Sequence, residues 1–274
     1  MSALAARYRR YPRPAFTSTF ERGPFIARAL PSPALIDAVL RLADQREAVG
    51  GCRVRLSVSD LDKVDAQTRL ASMYYLGQGV APDFHEALIW YRKAAEQGDP
   101  KAQTVLGLMH EGGEGVPKDA REAARWFRLA AERGDVDAQS RLGEKCYLGE
   151  GVPKDLAEAR KWFKLAALQG DADAQSKLGA MCFLGEGAPK DTSEAAKWFR
   201  LASAQGDATA QGCLGMMYAM GDGVPRDPVQ AFAWLLRASE AGNTQVAQTF
   251  ETIKRGLVPA QIEEGRRQAL AAQQ

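Results

Sequence analysis

Histidine and cysteine are scarce in this chain: two His and four Cys among 274 residues. His85 and His110 are separated in sequence, with no Cys or carboxylate set at ligand spacing, so neither a metal site nor a cofactor is expected. No run approaches the roughly 18 apolar residues that a membrane span requires. Arg7, Arg9 and Arg10 are followed by no apolar stretch, which argues against a secretory signal. Net charge is small as well, +2 at neutral pH, and gives no general attraction to nucleic acid or membrane. The basic excess is local: residues 1–60 hold ten Arg against five acids. A basic arm at 1–31 is therefore a secondary route to nucleic acid or an anionic membrane. No paired carboxylates perturb one another, and no nucleophile lies beside a base in sequence.

What the chain has instead is a period. All five Trp fall at one interval, Trp90, Trp126, Trp162, Trp198 and Trp234, each 36 residues after the last. Gly79, Gly115, Gly151, Gly187 and Gly223 keep the same ruler, as do Leu70, Leu106, Leu142, Leu178 and Leu214. Each unit predicts two helices. The second carries one apolar stripe, for example Ala159, Trp162, Phe163, Ala166 and Ala167. Asp155 followed by Glu158, with its equivalents in every unit, has capping-box spacing at the start of that helix. Gly170 and its equivalents stop it, and the Asp or Asn that follows caps the next helix. The first helix of four units carries a mid-helix Gly: Gly107, Gly143, Gly179 and Gly215. The expected reason is close approach of a neighbouring helix, with its Trp, at a cost of about 1 kcal/mol per Gly. The Trp row is thus the expected structural core, plugging the seams between hairpins.

The pattern A-x-x-x-L-G-x-x-x-x-x-G-x-G-V-x-x-D-x-x-x-A-x-x-W-F-x-x-A-A-x-x-G-D resembles the Sel1-like repeat family, relatives of tetratricopeptide repeats. The resemblance implies an all-α fold, a right-handed α/α superhelix of about five helix-turn-helix repeats. It also implies an adaptor or scaffold whose concave surface is the partner site. Secreted members carry a Cys pair clasping each repeat, and this chain lacks that spacing. Some of those members were linked to β-lactams, which makes a cell-wall or β-lactam-related hydrolase the alternative function. Ser176-Lys177, the nearest thing to a serine–lysine pair, falls on a repeat helix.

The expected organisation is a disordered basic arm over 1–31 and an N-terminal helix and linker over 32–64. Five repeats follow at 65–100, 101–136, 137–172, 173–208 and 209–244, then capping helices over 245–274. Cys146 and Cys182 lie one repeat apart. Equivalent helices sit roughly 8–10 Å apart, whereas a disulfide needs Cα atoms within about 7 Å. Free thiols point to a reducing compartment, so the cytoplasm is expected, with a periplasmic or secreted location as the alternative.

Counting each unit from Asp65 or its equivalent, helical phase turns positions 5, 8 and 11 away from the Ala/Leu/Met face. Those positions supply the expected partner-binding residues: Arg69, Arg141 and Lys177 as a basic row, Glu144, and Tyr75, Tyr147 and Phe183 as an aromatic row. Such a groove suits a protein or peptide segment bearing acids and apolar anchors. A plainer reading stands beside it. Asp65/Arg69, Asp137/Arg141 and Asp173/Lys177 are i, i+4 pairs that support their own helices, and the aromatics pack on the adjacent unit. The expected protein is a monomeric, non-enzymatic scaffold.

Overall fold

The computed structural model describes residues 64–271. The expected arm, the N-terminal helix and extended segment, and Cys52 lie outside the described residues. The chain divides into two compact units, Met1–Asp119 and Ala120–Gln274. The described part of the first holds α1 (Val64–Leu76), α2 (Phe84–Glu96) and α3 (Pro100–Gly112). The second holds α4 (Ala120–Glu132), α5 (Val136–Leu148), α6 (Leu156–Leu168), α7 (Ala172–Leu184), α8 (Thr192–Ala204), α9 (Ala208–Met220) and α10 (Pro228–Glu240). A 3₁₀ turn (Thr244–Val246), α11 (Ala247–Arg255) and α12 (Pro259–Ala271) follow it. The described residues form helices and turns alone, so the fold class is all-α helical repeats, as the period predicts.

The caps set the helix bounds. Asp155 is extended (φ −141°) and its carboxylate accepts the amides of Ala157 and Glu158; Asp227 does the same for Val229 and Gln230. Half of the expected capping box forms. Its other half does not, because the Asp155 amide already donates to the Cys146 carbonyl and the Asp191 amide to the Cys182 carbonyl. Glu158 and Glu194 are released for other partners. Asp155→Ala is expected to lower stability by about 1 kcal/mol, read as a shift in urea midpoint. An unchanged midpoint would mean that the hairpin holds α6 without its cap.

In the second unit the hairpins α5–α6, α7–α8 and α9–α10 pack in sequence, each second helix also meeting the first helix that follows it. The largest fully buried side chains there include Phe127, Phe163, Phe199, Leu142 and Leu178. The expectation for the Trp row needs correcting. Trp90, Trp126 and Trp162 are buried, while Trp198 and Trp234 are half-buried. The aromatic one residue later fills the inside of the hairpin, between its own two helices. A Cβ on Gly143 would sit 2.8 Å from the Phe163 ring, and one on Gly179 would sit 2.9 Å from the Phe199 ring. On a helix, adjacent positions differ by about 100°, so Phe points across at the partner helix while the indole lies beside it. The mid-helix Gly expectation therefore holds for close approach, with Phe rather than Trp as the visitor.

The C-terminal end closes the second unit. Phe250 of α11 stacks on Phe232 with centroids 5.2 Å apart, and Gly265 of α12 faces the same ring, where a Cβ would come within 2.6 Å. Glu263, Glu264, Arg266 and Arg267 point outward and pair at i, i+3. A polar outer face on the last element keeps the stack from growing.

Candidate partner-binding surface

The first helices carry the expected surface residues, and the structure places them in two separate units. In the first unit Arg69 is half-buried and lines a hollow of about 700 Å³ together with Thr68, Ser72 and Gln78. The Tyr75 hydroxyl donates to Glu114 Oε2 at 2.6 Å, and its ring meets Phe84 edge-to-face at 5.4 Å. Burial, then the Glu114 carboxylate, raises its pKa well above the usual tyrosine value, so it stays a donor.

In the second unit Arg141 is exposed, while Glu144 and Tyr147 are half-buried. Tyr147 donates to Glu186 Oε2 at 2.8 Å, in the turn of the next repeat. Lys177 lies 2.6 Å from Asp173 and 3.6 Å from Glu144, so it joins two neighbouring repeats. Phe183 is only 5% exposed, with the Lys190 ammonium 4.8 Å from its ring centroid. It is therefore packed by its own chain, and the expected anchor role passes to other side chains. The plainer reading describes Lys177 and the aromatics: they are engaged within and between repeats.

The period also held signals that helical phase alone misses. Gln67, Gln103, Gln139, Gln175 and Gln211 recur every 36 residues and are all buried. They form rungs. Gln139 Nε2 donates to the Ala131 carbonyl at 3.2 Å and its Oε1 accepts from Gln169 at 2.8 Å. Gln175 repeats this with Ala167 and Gln205. A second ladder joins Ser140 to Asp171 and Ser176 to Asp207, tying each first helix to the cap of the next. A third runs along the second helices: Arg128 to Glu158 at 2.6 Å and Arg160 to Glu194 at 3.0 Å. Those glutamates also accept from the Trp162 and Trp198 indoles. The Arg128 guanidinium holds the Glu158 carboxyl below its ordinary value. These bonds give polar groups inside a stack the partners they need. An apolar rim was also missed: Leu148 is 51% and Met220 54% exposed, two repeats apart along one edge, with Leu184 half-buried between them.

Cys146, Cys182 and Cys213 are free and buried. Burial pushes the Cys146 thiol up to about 12 and the Cys182 thiol up to about 11. Neutral buried thiols are poor nucleophiles. In a Cys52→Ser background, Ellman's reagent is expected to label none of them rapidly until denaturant is added. Rapid native labelling of Cys146 would show that the hairpin opens. Ser176, for its part, is fully buried and its hydroxyl donates to Asp207, while the Lys177 beside it is ion-paired. Among the described residues no group of three or more His, Cys, Asp or Glu is placed to hold a metal ion. No helix among them is long and apolar enough to cross a membrane.

The family model for the Sel1 repeat matches residues 64–99, 100–135, 136–171, 172–207 and 209–243. This chain belongs to the Sel1 repeat family. Two solved structures are similar to it. One is c5321, a protective antigen present in uropathogenic Escherichia coli strains displaying an SLR fold. It is 31% identical, with a TM-score of 0.72 over 86% of this chain and 53% of that chain. The present chain thus spans about half the length of c5321. The other is a Sel1 repeat protein from Oxalobacter formigenes, 32% identical, with a TM-score of 0.69 over 77% of this chain and 88% of that one. No curated protein matches. Sel1 repeats are a fold of the protein-interaction scaffold kind, and the ladders above show how this chain spends its recurring residues: on stacking one repeat against the next.

Proposed function

We propose that this Sel1 repeat protein is a non-enzymatic scaffold that holds a segment of another protein on the inner face of its first helices. The observation that carries this is a division of labour between positions. Gln, Leu, Gly and the cap Asp recur at fixed places and are engaged in stacking. Positions 5, 8 and 11 vary from repeat to repeat: Arg141, Glu144 and Tyr147 in one, Lys177, Ala180 and Phe183 in the next, Cys213, Met216 and Ala219 in the last; Ala180, Phe183 and Cys213 are buried and the other six reach the surface. A stack needs sameness where repeats touch each other and is free to vary where it faces outward. In the second unit this face runs from charged at Arg141 and Glu144 to apolar at Met216, with Leu148 and Met220 exposed along its rim. The surface suits an extended or helical segment with a charged end and an apolar end. Tyr147 and the exposed Arg141 belong to the residue types that dominate binding energy at interfaces.

The test is affinity purification from the native host with quantitative crosslinking. Changing Arg141 and Tyr147 together to Ala is expected to reduce recovery of the specific partner at least about tenfold, as loss of two interface anchors does. Equal recovery with the double variant would remove this face from consideration.

A further inference from the structure

The outer face of the second unit differs in charge from everything beside it. Its three successive second helices carry the same five-residue surface: Arg125-Trp-Phe-Arg128-Leu129 in α4, Lys161-Trp-Phe-Lys164-Leu165 in α6, and Lys197-Trp-Phe-Arg200-Leu201 in α8. Trp and Phe turn inward, and the other three side chains turn out. These helices hold eight cations against four glutamates, while the first helices and turns between residues 133 and 227 hold seven cations against twelve acids. In this unit the second helices are thus net positive, and the first helices and turns between them net negative.

Three of the four glutamates are already used: Glu122 by Arg125, Glu158 by Arg128 and Glu194 by Arg160. Lys164 and Lys197 are exposed, and no ion pair or hydrogen bond engages their ammonium groups. Between the cations runs a row of leucines, with Leu165 37% and Leu201 49% exposed and Leu129 half-buried. Six cations and three leucines recur at one register with a repeat between them.

The shape of this face selects among acidic occupants. The first helices α7 and α9 touch directly, whereas the second helices are bridged by long Arg–Glu pairs. The second helices are therefore the wider-spaced, outer row of this unit. The crest of an outer row, carrying exposed cations and leucines, is the part of the unit that a flat surface meets first. Cations beside exposed leucines suit the headgroup region of a bilayer, where charge meets phosphate and the aliphatic side chain reaches the acyl boundary.

We propose that the face formed by α4, α6 and α8 docks on an anionic lipid bilayer, through Lys161, Lys164, Lys197 and Arg200 with Leu165 and Leu201 inserted between them. This face is separate from the inner face proposed to hold a protein partner, and the two readings stand or fall independently.

Co-sedimentation of the full chain with vesicles tests it. Binding is expected to phosphatidylcholine vesicles containing phosphatidylglycerol and not to phosphatidylcholine alone, and to weaken steeply as salt rises. Reversing Lys161, Lys164, Lys197 and Arg200 to Glu is expected to weaken binding about tenfold or more. Leu165→Ser with Leu201→Ser keeps the charge and should leave binding that moderate salt removes entirely. Lys154→Glu with Arg226→Glu, the same kind of charge change made in the turns, should behave nearly as the wild type. Circular dichroism confirms that each variant is folded. Undiminished binding by the fourfold reversal would overturn the proposal and turn attention to the basic arm of residues 1–31. Binding to polyglutamate without binding to vesicles would overturn it in favour of an acidic polypeptide, and equal binding to uncharged vesicles would overturn it outright.

Discussion

Gly151→Ala is expected to cost about 4 kcal/mol or more, a size reserved for a few mechanisms, of which a backbone clash is one. Gly151 has φ +77°, and a Cβ there would lie 2.0 Å from the Ala120 carbonyl oxygen and 2.4 Å from its carbon. The obstacle is main chain at the start of α4, which cannot rotate aside as a side chain can. The hairpin turn must back away from the preceding second helix, and the seam between repeats opens. Gly170→Ala supplies the control. Gly170 also has a positive φ, +96°, but nothing lies within 4 Å of its would-be Cβ. That change should cost only the left-handed backbone penalty, about 1–2 kcal/mol. Urea unfolding followed by circular dichroism gives both values. Equal costs at the two sites would mean that the close approach contributes nothing and that the seam between repeats is loose.

The fold was legible because stacking leaves a repeated mark. Each hairpin must present the same surfaces to the next, so the same residue recurs every 36 positions and the period becomes readable without a template. Helix ends were legible for a local reason, since Asp155, Gly170 and their equivalents act on their own backbone. What was misread needed three-dimensional information of a finer kind. Trp and Phe are adjacent in three of the five repeats, Trp162 and Phe163 among them, and both fit an apolar stripe. Only the rotation of α6 against α5 decides that Phe163 lands on Gly143. Likewise Glu158 has the spacing to reach back to the Asp155 amide, yet that amide is taken by the Cys146 carbonyl across the hairpin turn.

The surface was less legible than the core. Lys177 and Asp173 sit at helix-pair spacing, and the pairing was foreseen as the plainer reading; its second partner, Glu144, comes from another repeat. Phe183 was assigned outward by phase, but the turn that follows α7 folds Lys190 over it. Surface exposure depends on loops, and loops carry no helical phase. The buried glutamines show the opposite case. Their period was as strict as that of the Trp row, and a polar residue recurring in a core stripe signals a ladder of side-chain bonds.

The Phe and Trp rows give the second large effect. Phe163→Ala is expected to cost about 3–5 kcal/mol. The side chain is 2% exposed, and the Gly143 it packs against has no atoms with which to refill the space. Phe199→Ala should cost about the same, since Gly179 faces Phe199 in the same way. Trp198→Ala should cost clearly less than Phe199→Ala, because the indole is half-buried and water can reach the vacated volume. Trp162, buried more fully and bonded through its indole N–H to Glu158, should fall between them. The order matters more than any single value, because cavity costs vary with how far a site can collapse. Chemical denaturation of the four variants measures it. If Trp198→Ala proved costlier than Phe199→Ala, the indoles would carry more of the core than the Phe row, and the placement of Phe against Gly would be a minor contact rather than the centre of each hairpin.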